Sequence, residues 1–215
     1  MNYTLFHQIT FYVMYVALAL ACFVIVERMI FYGFTLRRAR SMEMLLTADG
    51  YTPDDVAAQL DDRISVPGET LRKMLNNRSK MRNRNELEDL SEAIYLAMKA
   101  KLQHHLWVLD TVVTAAPLLG LLGTILGIIE TFQTLAQSGI SDPSGVSAGI
   151  GTALFATALG IGIALFGLVF FNFFQERVER ISEHLKIIIL HTGLGIMPDS
   201  KEDSHHALTP APAIA

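Results

Sequence analysis

The chain has 215 residues, of which 51% are hydrophobic and only 18% charged, against about 25% charged in an ordinary soluble domain. Its formal net charge of -4 gives no bulk attraction for nucleic acid, and a single cysteine, Cys22, excludes a disulfide framework, a CxxC redox pair and a cysteine zinc site. With 15 glycines and 7 prolines and no short period, the chain is neither collagenous nor of low complexity.

Three apolar stretches reach membrane length, which takes about 20 helical residues to cross roughly 30 Å of hydrocarbon. The first, 9–34, contains one charged pair, Glu27 and Arg28, near its C-terminal end. It follows a segment, 1–8, without Lys or Arg, whereas a secretory signal peptide needs a basic start and a small-residue cleavage site. The first span is therefore expected to be retained.

Residues 35–106 form a long connection that opens with Arg37, Arg38 and Arg40. Within it, Thr52-Pro53-Asp54-Asp55 reads as a helix start that runs to about Arg63, and Val66-Pro67-Gly68-Glu69 reads as a break. From Asn85 no Pro or Gly occurs before Pro117, which predicts a single helix entering the second span. The run Arg72, Lys73, Arg78, Lys80, Arg82 and Arg84 is expected to meet anionic lipid headgroups rather than nucleic acid, since acids elsewhere in the loop nearly cancel it.

The second span, 107–136, carries Glu130 as its only charge beyond Asp110, and the third, 149–174, carries none. A short loop, 137–148, joins them without Lys or Arg. After the third span, Val178, Ile181, Leu185 and Ile188 recur at three- and four-residue spacing, so a helical extension is expected over 175–197. Residues 198–215 lack periodicity and are expected to be a disordered tail.

All 17 Lys and Arg fall between Arg28 and Lys101 or from Arg177 onward. The positive-inside rule then predicts an N-terminus outside, 35–106 inside, 137–148 outside and the C-terminus inside. The fold class expected is an all-α integral membrane protein with three transmembrane helices and long cytoplasmic helical extensions.

No GxGxxG, P-loop, HExxH or GxSxG occurs, so neither an enzyme nor a bound cofactor is expected. His104-His105 and His205-His206 make poor metal sites, because adjacent helical residues point about 100° apart and a tail pair lacks further ligands. The informative pattern lies in the spans. Small residues at 149, 153, 156, 160, 164 and 167 form a spine on the third, and Gly120, Gly123 and Gly127 form another on the second. In lipid, where apolar surface alone gives no drive to associate, such spines let helices approach closely. Pro117, Gly120, Gly123, Gly127, Gly149 and Gly160 are the expected packing positions.

Polar residues sit beside these spines. Thr124 and Thr131 share a helix face with Pro117, Gly120 and Gly127. Measured from the outer ends of their spans, Thr124 lies roughly 18 Å deep and Thr157 roughly 12 Å, close enough for the two to meet. A membrane threonine often only bonds its own helix, but several on small-residue faces favour a polar conduit lined by Thr124, Thr131, Thr152 and Thr157. Glu130, one turn from the outer end, either snorkels, pairs with a helix or carries a proton.

The run Thr114-Ala-Ala-Pro-Leu-Leu-Gly-Leu-Leu-Gly-Thr-Ile-Leu-Gly-Ile-Ile-Glu-Thr-Phe132, followed by Gly149-Ile-Gly-Thr-Ala-Leu-Phe-Ala-Thr-Ala-Leu-Gly160, resembles the MotA/TolQ/ExbB proton-channel family. The arrangement looks closest to the ExbB and TolQ members, since MotA-type members generally have four spans. The resemblance implies an inner-membrane stator subunit of a proton-motive-force-driven motor, typically a homopentamer. It implies a ring around the single helices of an ExbD-like partner whose membrane Asp carries the proton, with a TonB-like protein as client. It also implies that Thr124 and Thr157 face the proton path. The sequence departs from the pattern at Thr152, where well-known members carry Glu. A TolQ-like role in envelope maintenance and a non-conducting scaffold are the alternatives.

Overall fold

The computed structural model describes residues 3–47, 54–55, 65–77, 84–138 and 143–194. Five helices account for nearly all of them: α1, Tyr3–Thr47; α2, Val66–Asn76; α3, Arg84–Gln103; α4, Leu106–Ser138; and α5, Pro143–Leu194. Three segments, Leu5–Thr47, Leu106–Ala136 and Ser144–Gly193, are long and apolar enough to cross a membrane. Only 28% of the most apolar window of each is buried within the chain. Large apolar side chains such as Tyr12, Phe23, Leu118 and Val169 are more than two-thirds exposed, as suits lipid or neighbouring chains and not water.

The helices group into two compact units, Met1–Arg37 with Lys99–Ser182, and Arg38–Met98 with Glu183–Ala215. In the first, α1, α4 and α5 pack together. On α5 the positions Ala153, Ala156, Gly160, Ile163, Gly167, Phe174, Val178 and Ile181 are buried, a seam spaced three, four or seven residues apart. That spacing is the mark of helices crossing at a shallow angle. α1 contributes Met14, Ala21, Val24, Ile25 and Tyr32, the last with its ring centroid 5.6 Å from that of Phe174.

The contact between α4 and α5 is made of backbone. A Cβ added at Gly120 would stand 2.9 Å from the Ala156 carbonyl oxygen, and one at Gly160 would stand 2.5 Å from that of Ala116. Added carbons at Gly123 and Gly127 would meet the Cβ atoms of Ala156 and Ala153 at 2.8 and 2.9 Å. Gly151 and Gly162 lie off this seam and meet nothing within 4 Å.

In the second unit, the end of α1 buries Ala39, Met42 and Leu46, α3 buries Ile94 and Met98, and the end of α5 buries Leu185, Ile188 and Ile189. His184 hydrogen-bonds Glu43, and Gly193 packs against Leu87. The segment Val66-Pro67-Gly68-Glu69 does not break the chain but opens α2. Ser65 caps it by accepting from the Gly68 amide at 3.3 Å, and Pro67 sits in the first turn, where a missing amide hydrogen costs nothing. Val66, Thr70, Leu71 and Met74 then form one buried face. Of the helix expected over 52–63, Asp54 and Asp55 are helical and the rest lies outside the described residues.

The single helix expected from Asn85 into the second span is interrupted at His104–His105, between α3 and α4. Just before the interruption, two side chains of α1 reach one carbonyl. Tyr32 Oη donates to the Leu102 oxygen at 2.8 Å, and Arg28 reaches the same atom at 3.5 Å. The α-helical donor for that oxygen would have been the Leu106 amide. Arg28 also bonds His105 Nδ1, and the Glu27 carboxylate lies 3.3 Å from that nitrogen and 2.9 Å from Arg28 Nε. The other ends also differ from expectation. α1 runs past residue 34 to Thr47 because no proline or further glycine stops it, and α5 starts already at Pro143.

Two substitutions test this packing. Gly160→Ala is expected to destabilise the α4–α5 contact by about 1–3 kcal/mol, since backbone must move, whereas Gly162→Ala is the neutral control. Tyr32→Phe removes one buried hydrogen bond and should cost about 0.5–1.5 kcal/mol. Thermal unfolding in detergent reads both.

Candidate functional site

Close approach of α4 and α5 brings Thr124 and Thr157 together. Their hydroxyls are hydrogen-bonded to each other, and both side chains are half-buried. Thr124 Oγ1 lies 3.2 Å from the Gly120 carbonyl oxygen on its own helix and 3.3 Å from that of Ala153 on α5. Thr157 Oγ1 reaches across to the same Gly120 oxygen at 3.1 Å. Thr157 thus bonds the facing helix, whereas a threonine in an apolar helix ordinarily bonds its own. The two hydroxyl hydrogens are used by one hydroxyl and one carbonyl, so what the pair has to spare is oxygen lone pairs.

Thr131 and Thr152 lie nearer the start of α5. Thr131 is buried and donates to the Gly127 carbonyl at 2.8 Å, and Gly149 packs directly against it. Thr152 is exposed and donates to the Ala148 carbonyl at 3.0 Å. Both line a cavity of about 320 Å³, together with His7 of α1 and Glu130 of α4. The structure therefore divides the four threonines into two groups. Thr124 and Thr157 bond one another, and Thr131 and Thr152 share a cavity wall. Of the packing residues, Gly120, Gly123, Gly127, Gly149 and Gly160 all face close neighbours. Pro117 stands inside α4, where it has no amide hydrogen to offer the Val113 carbonyl one turn back.

Glu130, left open between three roles by its sequence position, pairs with His7: Nδ1 and Oε2 are 3.3 Å apart. Sequence reasoning missed His7 altogether, because its partner lies on another helix and nothing local marks it. It also missed the group formed by Arg28, Tyr32 and His105, of which only the charges at Glu27 and Arg28 stood out in the first span. The rings of His104 and His105 are tilted by 59° with centroids 4.7 Å apart, and no group of three or more metal-binding side chains occurs among the described residues. His205 and His206 lie outside them.

The family model described as the MotA/TolQ/ExbB proton channel family matches residues 62–187. The chain is 37% identical over 83 residues to the biopolymer transport protein ExbB of Aquifex aeolicus, covering 39% of this chain and 56% of that one. It is 35% identical over 92 residues to the ExbB of Helicobacter pylori, covering 43% and 63% respectively. To the Tol-Pal system protein TolQ of Pseudomonas aeruginosa it is 34% identical over 98 residues, 44% of this chain and 42% of the other. The chain spans about half the length of the curated relatives it matches. With three apolar helices, a glycine-lined α4–α5 contact and a match over more than half its length, the chain belongs to the MotA/TolQ/ExbB proton channel family as a multi-pass membrane protein.

Proposed function

We propose that the chain is the ring-forming stator subunit of a proton-motive-force-driven motor in the inner membrane, with its N-terminus outside and its C-terminus in the cytoplasm. In this reading it assembles as a homopentamer around the helices of an ExbD-like protein whose membrane Asp titrates, and it energises a TonB-like protein for outer-membrane uptake. Anionic lipid headgroups meet the cations on the cytoplasmic side. The observation that carries the reading is the hydroxyl pair of Thr124 and Thr157 on the glycine-lined contact.

The chemistry follows from the spare lone pairs. A protonated carboxyl group brought against the pair donates its hydrogen to a hydroxyl oxygen. Once that group is ionised, a hydroxyl turns from the Gly120 or Ala153 carbonyl and donates to it instead. Both charge states are met at one place with only a rotation about a C–O bond. Among the described residues, α5 from Ser144 to Gln175 carries no ionisable side chain, which fits a division in which the partner supplies the titrating group. The similarity to a TolQ protein favours a second reading, the same motor serving envelope maintenance.

Thr124→Val and Thr157→Val each keep the side-chain shape and leave a carboxylate short of a partner. The expected cost is about 1–3 kcal/mol, or roughly five- to 150-fold in rate. Thr→Ser at either position should be mild. Growth dependent on siderophore or haem uptake, with expression checked, reads the effect. Full activity of both valine variants would leave a non-conducting scaffold as the better account. Native mass spectrometry of the purified chain should show a stable homo-oligomer; a mostly monomeric protein would refute the ring.

A further inference from the structure

The cavity beside His7 and Glu130 is lined by three threonine side chains. Thr131, Thr134 and Thr152 each direct a hydroxyl hydrogen to a carbonyl of their own helix, at 2.8, 3.0 and 3.0 Å. Their remaining capacity is lone pairs, and the Glu130 carboxylate adds more. These side chains offer acceptors to a species rich in hydrogen-bond donors, of which the smallest is the hydronium ion. A bound metal ion is disfavoured, because no group of three metal-binding side chains occurs among the described residues.

Among the described residues, two titratable side chains line the cavity. α1 contributes His7, α4 contributes Glu130, and the stretch of α5 that lines it, Gly145 to Thr152, contributes none. The His7 side chain is 12% exposed and that of Glu130 is 29% exposed, so water reaches the carboxylate more readily than the ring. His7 Nε2 is buried without a hydrogen-bond partner among the described residues, close to Gly127, and the Phe11 ring meets the imidazole edge-on at 5.2 Å. A neutral ring with its hydrogen on Nδ1 points a donor at Glu130 and leaves Nε2 as a bare lone pair, the less costly way to bury that atom.

We propose that the His7–Glu130 pair is a proton-loading site. With a neutral imidazole and an ionised carboxylate the pair carries one negative charge. A hydronium ion in the cavity gives up one proton, water remains, and the pair becomes neutral, as imidazole beside carboxylic acid or as imidazolium beside carboxylate. No other bond forms or breaks. Thr131 is seven residues from Thr124 on α4, about 10 Å along the helix, so the loaded proton is held two turns from the hydroxyl pair. This role rests on the channel reading above. It also draws on α1, which lies outside the family match at residues 62–187.

The test separates the pair from the channel. In the purified full chain, acid pulses followed with a pH-indicating dye should show wild type taking up about one proton per chain more than the double variant His7→Gln/Glu130→Gln, since each single variant keeps one group that can take a proton. Glu130→Asp, which keeps a carboxyl group, should retain that uptake. In liposomes holding the chain with its single-span partner, both single glutamine variants should conduct protons about tenfold or more slowly. Uptake equal to wild type in the double variant, or flux equal to wild type in both single glutamine variants, would overturn the proposal, as would lowered thermal stability of the double variant with unchanged uptake. If uptake behaves as expected while wild type with its partner conducts nothing, the loading site stands and the channel reading fails.

Discussion

The α4–α5 contact constrains everything around it. In a bilayer, two helices gain nothing by hiding apolar surface from lipid, so only dense packing and polar contacts hold them. Here Gly120, Gly123, Gly127 and Gly160 bring the two backbones to where a single methyl group would collide with a carbonyl or a neighbouring Cβ. At that separation the hydroxyls of Thr124 and Thr157 reach each other and the Gly120 carbonyl on the facing helix. The packing and the chemistry are one feature, because larger residues on the seam would set the helices apart and return each threonine to its own backbone.

α1 supplies polar groups at two levels of this bundle and apolar ones between them. His7 meets Glu130 where α4 nears its end and α5 begins, and Glu27, Arg28 and Tyr32 meet Leu102 and His105 where α4 starts. Met14, Ala21, Val24 and Ile25 fill the interval. Arg28 is almost fully buried, yet its guanidinium finds a carboxylate, an imidazole nitrogen, a carbonyl and the faces of Phe31 and Tyr32. A buried charge is tolerable only with such partners. One of these partners is the Leu102 carbonyl, next to the turn at His104–His105 where α3 gives way to α4.

Much of this was legible in the sequence because it depends on local or periodic properties. Three apolar stretches of spanning length, small residues recurring every three or four positions, and threonines seven apart on one face need no knowledge of neighbours. The small-residue faces, together with their depth in the spans, also made Thr124 and Thr157 candidates. The beginning of α2 was misread because Val66-Pro67-Gly68 has the residues of a turn, and the same Pro67 serves equally well in the first turn of a helix once Ser65 caps it.

By itself, then, the sequence determined the number of apolar helices, the faces on which they pack and the family to which they belong, since chain length, side-chain size and helical period carry that information. Tertiary structure alone decided where α3 ends, which hydroxyl Thr157 meets, and that His7 lies against Glu130. Each of these is set by the register between helices far apart in the chain. Register follows from how side chains interlock and which carbonyl a distant Tyr or Arg can reach, and no single helix contains that information.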